Sequence, residues 1–306
     1  MKGLLTLMMR GRTQAVMGAV VTAMLALLIT PFSVVSTGLV VLATVRNGPR
    51  EGLLVVLMST LALAVLGMLI FHMPLVLGGL GLVLWLPAWG LAIVLGRSAS
   101  LMRALETAAL AGFVLVGLQY LALGDPAAFW QGLLQDYLDQ ALDAAVVAES
   151  DQQKVLQMLA GWMPGGVAAS WVLSMVFGLM FGRWGQAVMD GSDGFGREFR
   201  SLRISRFWLL LLPVLLGLSL IGDGPNIAGQ FYLVGIVLFL FQGLAVAHGL
   251  VAATGASPGW LFGVYFLMFV GLPHSVTAIA AAGYADGWLD FRAKVRGTRK
   301  PPGPEQ

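Results

Sequence analysis

The sequence predicts an all-α fold: a polytopic bundle of transmembrane helices. Three observations carry this. Of 306 residues, 58% are hydrophobic and 11% are charged, where a soluble domain carries about 25% charged residues. The apolar residues fall in blocks near the roughly 20 residues that cross a bilayer as a helix. The alternating ten-residue segments of a membrane barrel are absent from the sequence.

Charge-free blocks bounded by charges or turn residues define the spans. They are residues 13–30, 31–45, 51–71, 74–96, 104–124, 165–189, 207–222 and 227–253, with a final apolar segment at 259–285. Arginine and lysine set the orientation. Lys2, Arg10 and Arg12 precede the first span, Arg46 and Arg50 follow the second, and Arg97 and Arg103 follow the fourth. Arg197, Arg200, Arg203 and Arg206 lie between the sixth and seventh. If each span crosses, all of these fall on one side, so the N-terminus is expected in the cytoplasm of a bacterial inner membrane. The opposite side receives residues 125–154, with six acids and one lysine.

Nine crossings would leave the basic "DFRAKVRGTRK" outside, against that rule. The last segment is therefore expected to be a broken helix. Gly271 and Pro273 of "GLPHS" stand in its middle, and proline removes a backbone donor. About eight full spans are expected, with nine as the alternative. The expected organisation is one transmembrane domain over 1–296. It carries an extracytoplasmic amphipathic insertion at 125–164 and a basic cytoplasmic loop at 190–206. A disordered tail is expected at 297–306.

Within the insertion, Trp130, Leu134, Leu138 and Leu142 recur every four residues, while Asp136, Asp139 and Asp143 share another face. This predicts an amphipathic helix, either lying at the interface or covering an outward cavity. The loop "GFGREFRSLRISR" supplies topology and contact with phosphate headgroups; nucleic acid is not an expected partner.

Small residues recur every four positions in two spans, and Gly259 and Gly263 form a third, shorter example. Ala15, Ala19 and Ala23 form one stripe, and Gly166, Ser170, Ser174, Gly178 and Gly182 another. Such stripes let helix backbones approach closely, so Ala15, Ala19, Ala23, Gly166, Gly178 and Gly182 are candidate docking positions. The mate is either within this chain or another protein.

Ionisable groups at depth are few. Glu106 lies three residues from Arg103, a spacing that suits a helix ion pair. Arg183 is placed to snorkel, and His248 reads as a packed or interfacial histidine. With no cysteine and three scattered histidines, neither a metal site nor any other cofactor is expected. No nucleophile, metalloprotease or phosphate-loop motif appears, and an enzyme is not expected. One polar cluster remains toward the outer half: Gln119, Tyr120, Ser170, Trp171, Ser174, Asn226 and Gln230. An apolar pocket with a few such groups is the form of a small-molecule site.

The stretches "PFSVVSTGLVVLATVRNGPREGLL", "GREFRSLRISR" and "GYADGWLDFRAKVR" together resemble the YybS-like family of bacterial membrane proteins, a domain of unknown function. The resemblance covers about residues 13–296. That family is similar in its N-terminal part to the substrate-binding components of energy-coupling-factor transporters. There, small residues of the first span dock on a membrane coupling protein that carries ATPase subunits. The resemblance implies that Ala15, Ala19 and Ala23 are such a docking seam and that a small solute binds from outside. Those components have about six spans, fewer than this chain. The functional expectation is thus a solute-binding or transport component. The alternative is a membrane scaffold or assembly factor without a transported ligand.

Overall fold

The computed structural model describes residues 2–141, 149–222 and 224–297. Every regular element among them is a helix. Five helices are long and apolar enough to cross a membrane: Pro49–Phe71, Pro74–Ser98, Leu101–Leu123, Gln153–Asp190 and Ile227–Thr254. Phe32–Asn47, Arg206–Ser219 and Gly259–Val270 are shorter apolar helices. The chain is a helical protein with membrane-spanning character, and its contacts divide it into two compact units.

The first unit comprises residues 1–108 and 173–202. It holds α1 (Lys2–Met8), α2 (Arg12–Ala26), α3 (Phe32–Asn47), α4 (Pro49–Leu66, continued by a π-helical turn to Phe71) and α5 (Pro74–Ser98). At its centre is α3, buried without interruption from Ser36 to Thr44. Such a segment must satisfy its polar side chains internally, and it does. Thr37 and Thr44 bond back to carbonyls of their own helix. The Ser36 hydroxyl donates to the Ala19 carbonyl at 2.7 Å and accepts from Trp85 Nε1 at 2.9 Å. One hydroxyl thus ties α2, α3 and α5 together. Gly48 has φ of 92°, a left-handed conformation that glycine tolerates. Pro49 then opens α4 at a position where a missing N–H costs nothing. Arg12 grips Glu51 with two bonds, of 3.0 and 2.7 Å.

The second unit comprises residues 109–172 and 203–306. Here lie most of α6 (Leu101–Leu123), α7 (Pro126–Ala141), the first part of α8 (Glu149–Asp190), α10 (Arg206–Ser219), α11 (Ile227–Thr254), α12 (Gly259–Val270), α13 (His274–Leu289) and α14 (Phe291–Gly297). The short α9 (Gly194–Arg200) belongs to the first unit. The amphipathic helix expected from residue 129 to 148 is α7 up to Ala141. Leu142, Asp143 and the rest of that period to Ala148 lie outside the described residues. The sixth expected span, 165–189, is the end of a much longer helix that begins at Glu149 and passes through Pro164.

At the middle of this unit is α11, with α13 across it. A Cβ on Gly243 would stand 2.0 Å from the Ile279 carbonyl oxygen, and one on Gly283 2.2 Å from that of Phe239. The two backbones meet where neither helix has a side chain. Phe113 packs on Phe231 and edge-on to Trp208, with centroids 4.7 and 5.4 Å apart. The expected break of the last apolar segment is present. Gly271 to Pro273 separates α12 from α13, as the Gly and Pro there require.

Candidate functional site

The small-residue stripe of α2 is used inside the chain. Ala15, Ala19 and Ala23 are 3%, 0% and 6% exposed and form one core with Val40, Ala43, Val55 and Trp85. The resemblance placed a partner protein on this seam; α3 and α4 already fill it. Substituting Ala19 with leucine is therefore expected to act on folding, not on association. It adds three heavy atoms at a fully buried site and should cost about 1–3 kcal/mol or more. Thermal unfolding in detergent measures this, and an unchanged midpoint would overturn the assignment.

The second stripe divides. A Cβ on Gly178 or Gly182 would fall 2.4 Å from Thr37 Oγ1 or 2.5 Å from Val41 Cγ1, so these two seat α8 on α3. Gly166 has open space around it and docks nothing within the unit. Its neighbour Gly165 is the close-contact position, 2.7 Å from the Gln230 Cα by the same measure.

Of the seven residues expected to form a ligand pocket, Gln230, Gln119 and Asn226 are engaged by backbone and neighbouring helices. Gln230 is fully buried and acts as a splint. Its Oε1 accepts from Gly165 N at 2.7 Å, and its Nε2 donates to the Gly161 carbonyl at 2.7 Å. Those two groups are an i→i−4 pair of α8 beside Pro164, and the side-chain amide bonds to both. Gln119 donates to the Pro164 carbonyl at 3.0 Å and accepts from Trp130 Nε1 at 3.1 Å, tying α6 to α8 and α7. Asn226 caps α11 by accepting from Gly229 N at 3.0 Å. Its amide also donates to the Leu218 and Ile221 carbonyls, closing the turn after α10. Ser170 is exposed, Tyr120 and Trp171 are half-buried, and Ser174 belongs to the first unit. These amides bond to backbone because proline and helix ends leave groups that need partners. Replacing Gln230 by leucine should cost about 2–4 kcal/mol, since two buried backbone groups lose their partners at roughly 1–3 kcal/mol each. Thermal unfolding of the purified variant tests this.

One concavity of this unit lies among other residues. A cavity of about 210 Å³ opens between α10, α11 and α13, walled by Leu212, Leu216, Ile236 and Ala280, with Tyr232, Thr277 and Tyr284 supplying the polar atoms. Thr277 bonds to the Pro273 carbonyl. The Tyr232 and Tyr284 hydroxyls make no hydrogen bond among the described residues. Pro213, inside α10, completes the wall. None of the seven expected residues lines it. Its own polar residues escape a sequence reading because Tyr232 on α11 lies more than 40 positions from Thr277 and Tyr284 on α13, in largely apolar helices.

Beside the cavity is a buried polar knot. Asp286 is 0% and Arg292 4% exposed. Arg292 Nη2 donates to Asp286 Oδ2 at 2.7 Å, and Phe291 N donates to Oδ1 at 3.0 Å. Gln242 Nε2 donates to the Gly283 carbonyl at 2.9 Å, while its Oε1 accepts from Ile204 N at 2.7 Å. Arg203 pairs with Asp290. Burial pushes the Asp290 carboxyl up, but bonds from Arg203 and the Ala293 amide outweigh this and hold it below the usual range. The signal for this knot was a lone glutamine in "FLFQGL" and an acid in "GYADGW".

In the first unit, Arg183 does not simply snorkel. Its Nε donates to Glu198 Oε2 at 2.8 Å, and Glu198 Oε1 accepts from Leu101 N at the start of α6. Arg46 pairs with Asp190 at 3.3 Å. His248 meets the Tyr265 hydroxyl at 2.9 Å, in keeping with a packed or interfacial role. No group of three or more metal-ligating side chains occurs among the described residues. No family model, no curated protein and no solved structure matches this chain.

Proposed function

We propose that this is a multi-pass bacterial inner-membrane protein, N-terminus in the cytoplasm, that binds a small, mostly apolar molecule within the bilayer, as a solute-binding or transport component would. The observation that carries the reading is the cavity between α10, α11 and α13. Its walls are aliphatic, and its two tyrosine hydroxyls have no hydrogen-bond partner among the described residues. Apolar walls with a few convergent polar groups suit a ligand with a hydrocarbon body and one hydrogen-bonding group. At about 210 Å³ the space fits a small molecule or one chain of a larger one.

Eight crossings with a re-entrant C-terminal pair are the topology that best fits. The hairpin of α10 and α11 leaves and returns to one side. The Arg203–Asp290 pair then brings the end of α13 back beside the start of α10, so α12 and α13 together make no net crossing. With 12 residues, α12 is about 18 Å long at 1.5 Å per residue, short of the roughly 30 Å hydrocarbon core. This keeps the basic C-terminal stretch in the cytoplasm, as the positive-inside rule asks. A coupling protein, or membership in the YybS-like family, would have to engage some surface other than the α2 seam.

The test is photolabelling in nanodiscs with a short diazirine-bearing fatty alcohol. Labelled peptides should contain Tyr232, Thr277 or Tyr284. Ala281→Trp, at an exposed residue lining the cavity, should abolish that labelling without changing the unfolding midpoint. Labelling spread evenly over the lipid-facing helices would favour the scaffold reading instead.

A further inference from the structure

The cavity between α10, α11 and α13 has a definite hydrogen-bonding sense. Tyr232 and Ile236 enter it from one face of α11, and Thr277, Ala280, Ala281 and Tyr284 from one face of α13, as spacings of three and four residues require. The two alanines leave open floor between Thr277 and Tyr284, about 10 Å apart along the helix at 1.5 Å per residue. Among the described residues, no Asp, Glu, Asn, Gln, Lys, Arg or His lines the space. Thr277 Oγ1 donates to the Pro273 carbonyl at 3.4 Å, so its proton is engaged. The Tyr232 and Tyr284 hydroxyls make no hydrogen bond among the described residues. A phenol donates more readily than it accepts, because its oxygen lone pair is delocalised into the ring. The side chains of the wall thus offer two donors, one from each of two helices, and no amide or carboxylate to receive a proton. The exposed lining residues Pro213, Leu216, Thr277 and Ala281 belong to α10 and α13, so the mouth lies between those helices.

We infer that the cavity takes the head of a lipid-soluble quinone, an inference that rests on reading it as a ligand site within the bilayer. A quinone head is planar and uncharged. It carries a carbonyl acceptor at each end of its ring and brings no N–H or O–H. One carbonyl accepts from Tyr232 and the other from Tyr284, with the ring over Ala280 and Ala281. The hydrocarbon tail leaves through the mouth between α10 and α13. Other amphiphiles match these walls less well. A fatty acid would bury a charge with no counter-charge on the wall, which is strongly unfavourable. A fatty alcohol has one oxygen for two donors on different helices, and its own proton finds no strong side-chain acceptor.

Competition against the diazirine fatty alcohol in nanodiscs tests this, with decyl-benzoquinone, decanol and decanoate as competitors. The quinone should suppress labelling of the Tyr232, Thr277 and Tyr284 peptides at a concentration several-fold below that of decanol, and decanoate should be weakest. Labelling of α12, which buries none of its residues, is the internal reference for partitioning and light absorption. Tyr232→Phe and Tyr284→Phe each remove a donor and keep the ring. Each should weaken quinone competition about two- to tenfold, and the two together should bring it down to that of decanol. Labelling confined to the cavity, with decanol or decanoate competing as well as the quinone, would overturn the quinone assignment and leave the ligand site standing. A quinone advantage that survives both substitutions would equally overturn it. Labelling as strong on α12 as in the cavity would overturn the proposed function, and this inference with it.

Discussion

Gly283→Ala should unfold the second unit's core, although it adds one methyl group. The new Cβ would lie 2.2 Å from the Phe239 carbonyl oxygen and 2.6 Å from Gly243 N. Both are backbone atoms, so no side chain can rotate away and the helices must separate by more than an ångström. Ordinary overpacking costs about 1–3 kcal/mol; a clash against main chain on both sides should exceed that. Separation would also stretch the Gln242–Gly283 bond, 2.9 Å in the native chain. Gly243→Ala should behave alike, with its Cβ 2.0 Å from the Ile279 carbonyl oxygen. Gly263→Ala, on α12 in open space, is the control and should be neutral or slightly stabilising, since alanine favours a helix by about 1 kcal/mol over glycine. Thermal unfolding in detergent reads all three. A drop on the order of 10 °C is expected for the first two. A wild-type midpoint in Gly283→Ala would show that α11 and α13 do not cross at this point.

This crossing marks the limit of what the sequence carries. Helices could be located because hydropathy and helix punctuation are local: Gly48-Pro49 ends α3 and begins α4, and Gly271–Pro273 breaks the last segment. The stripes at Gly178 and Gly182 could be recognised as seams because small residues at four-residue spacing share a helix face. What spacing does not contain is the mate. Ala15, Ala19 and Ala23 read equally well as a surface for another protein, and only the burial of all three decides the question. The polar cluster failed for a related reason. Gln230 is an exposed hydrogen-bonding group to a reader of sequence. Its role appears only when α11 is laid against Pro164, 66 positions earlier in the chain. Gln242 and Asp286 likewise meet across 44 positions. Polar groups in a membrane bundle are first candidates for function, but backbone groups freed by proline or by a turn compete for them.

The Asp286–Arg292 pair should be the most sensitive charged site in the chain. Both side chains are at least 95% buried, and a charge held there needs its partner. Arg292→Met leaves a carboxylate with only the Phe291 amide and a longer bond, 3.4 Å, from Gln242. Asp286→Asn takes from the Arg292 guanidinium the carboxylate it bonds at 2.7 Å. Each single change should cost about 3–5 kcal/mol, the usual penalty for breaking a buried pair from one side. The Asp286→Asn, Arg292→Met double variant removes both charges and keeps an oxygen that can accept from Phe291 N. It should therefore cost less than the two single changes add up to, with a coupling of about 1–3 kcal/mol between the two sites. Because α14 begins at Phe291, the single variants should also release the C-terminal stretch. Lys294 should then become cleavable by trypsin in inside-out vesicles under conditions where the native chain resists. Full additivity of the two substitutions would mean that the pair contributes packing alone. Cleavage at Lys294 only in right-side-out vesicles would place α14 on the other face and refute the re-entrant arrangement of α12 and α13.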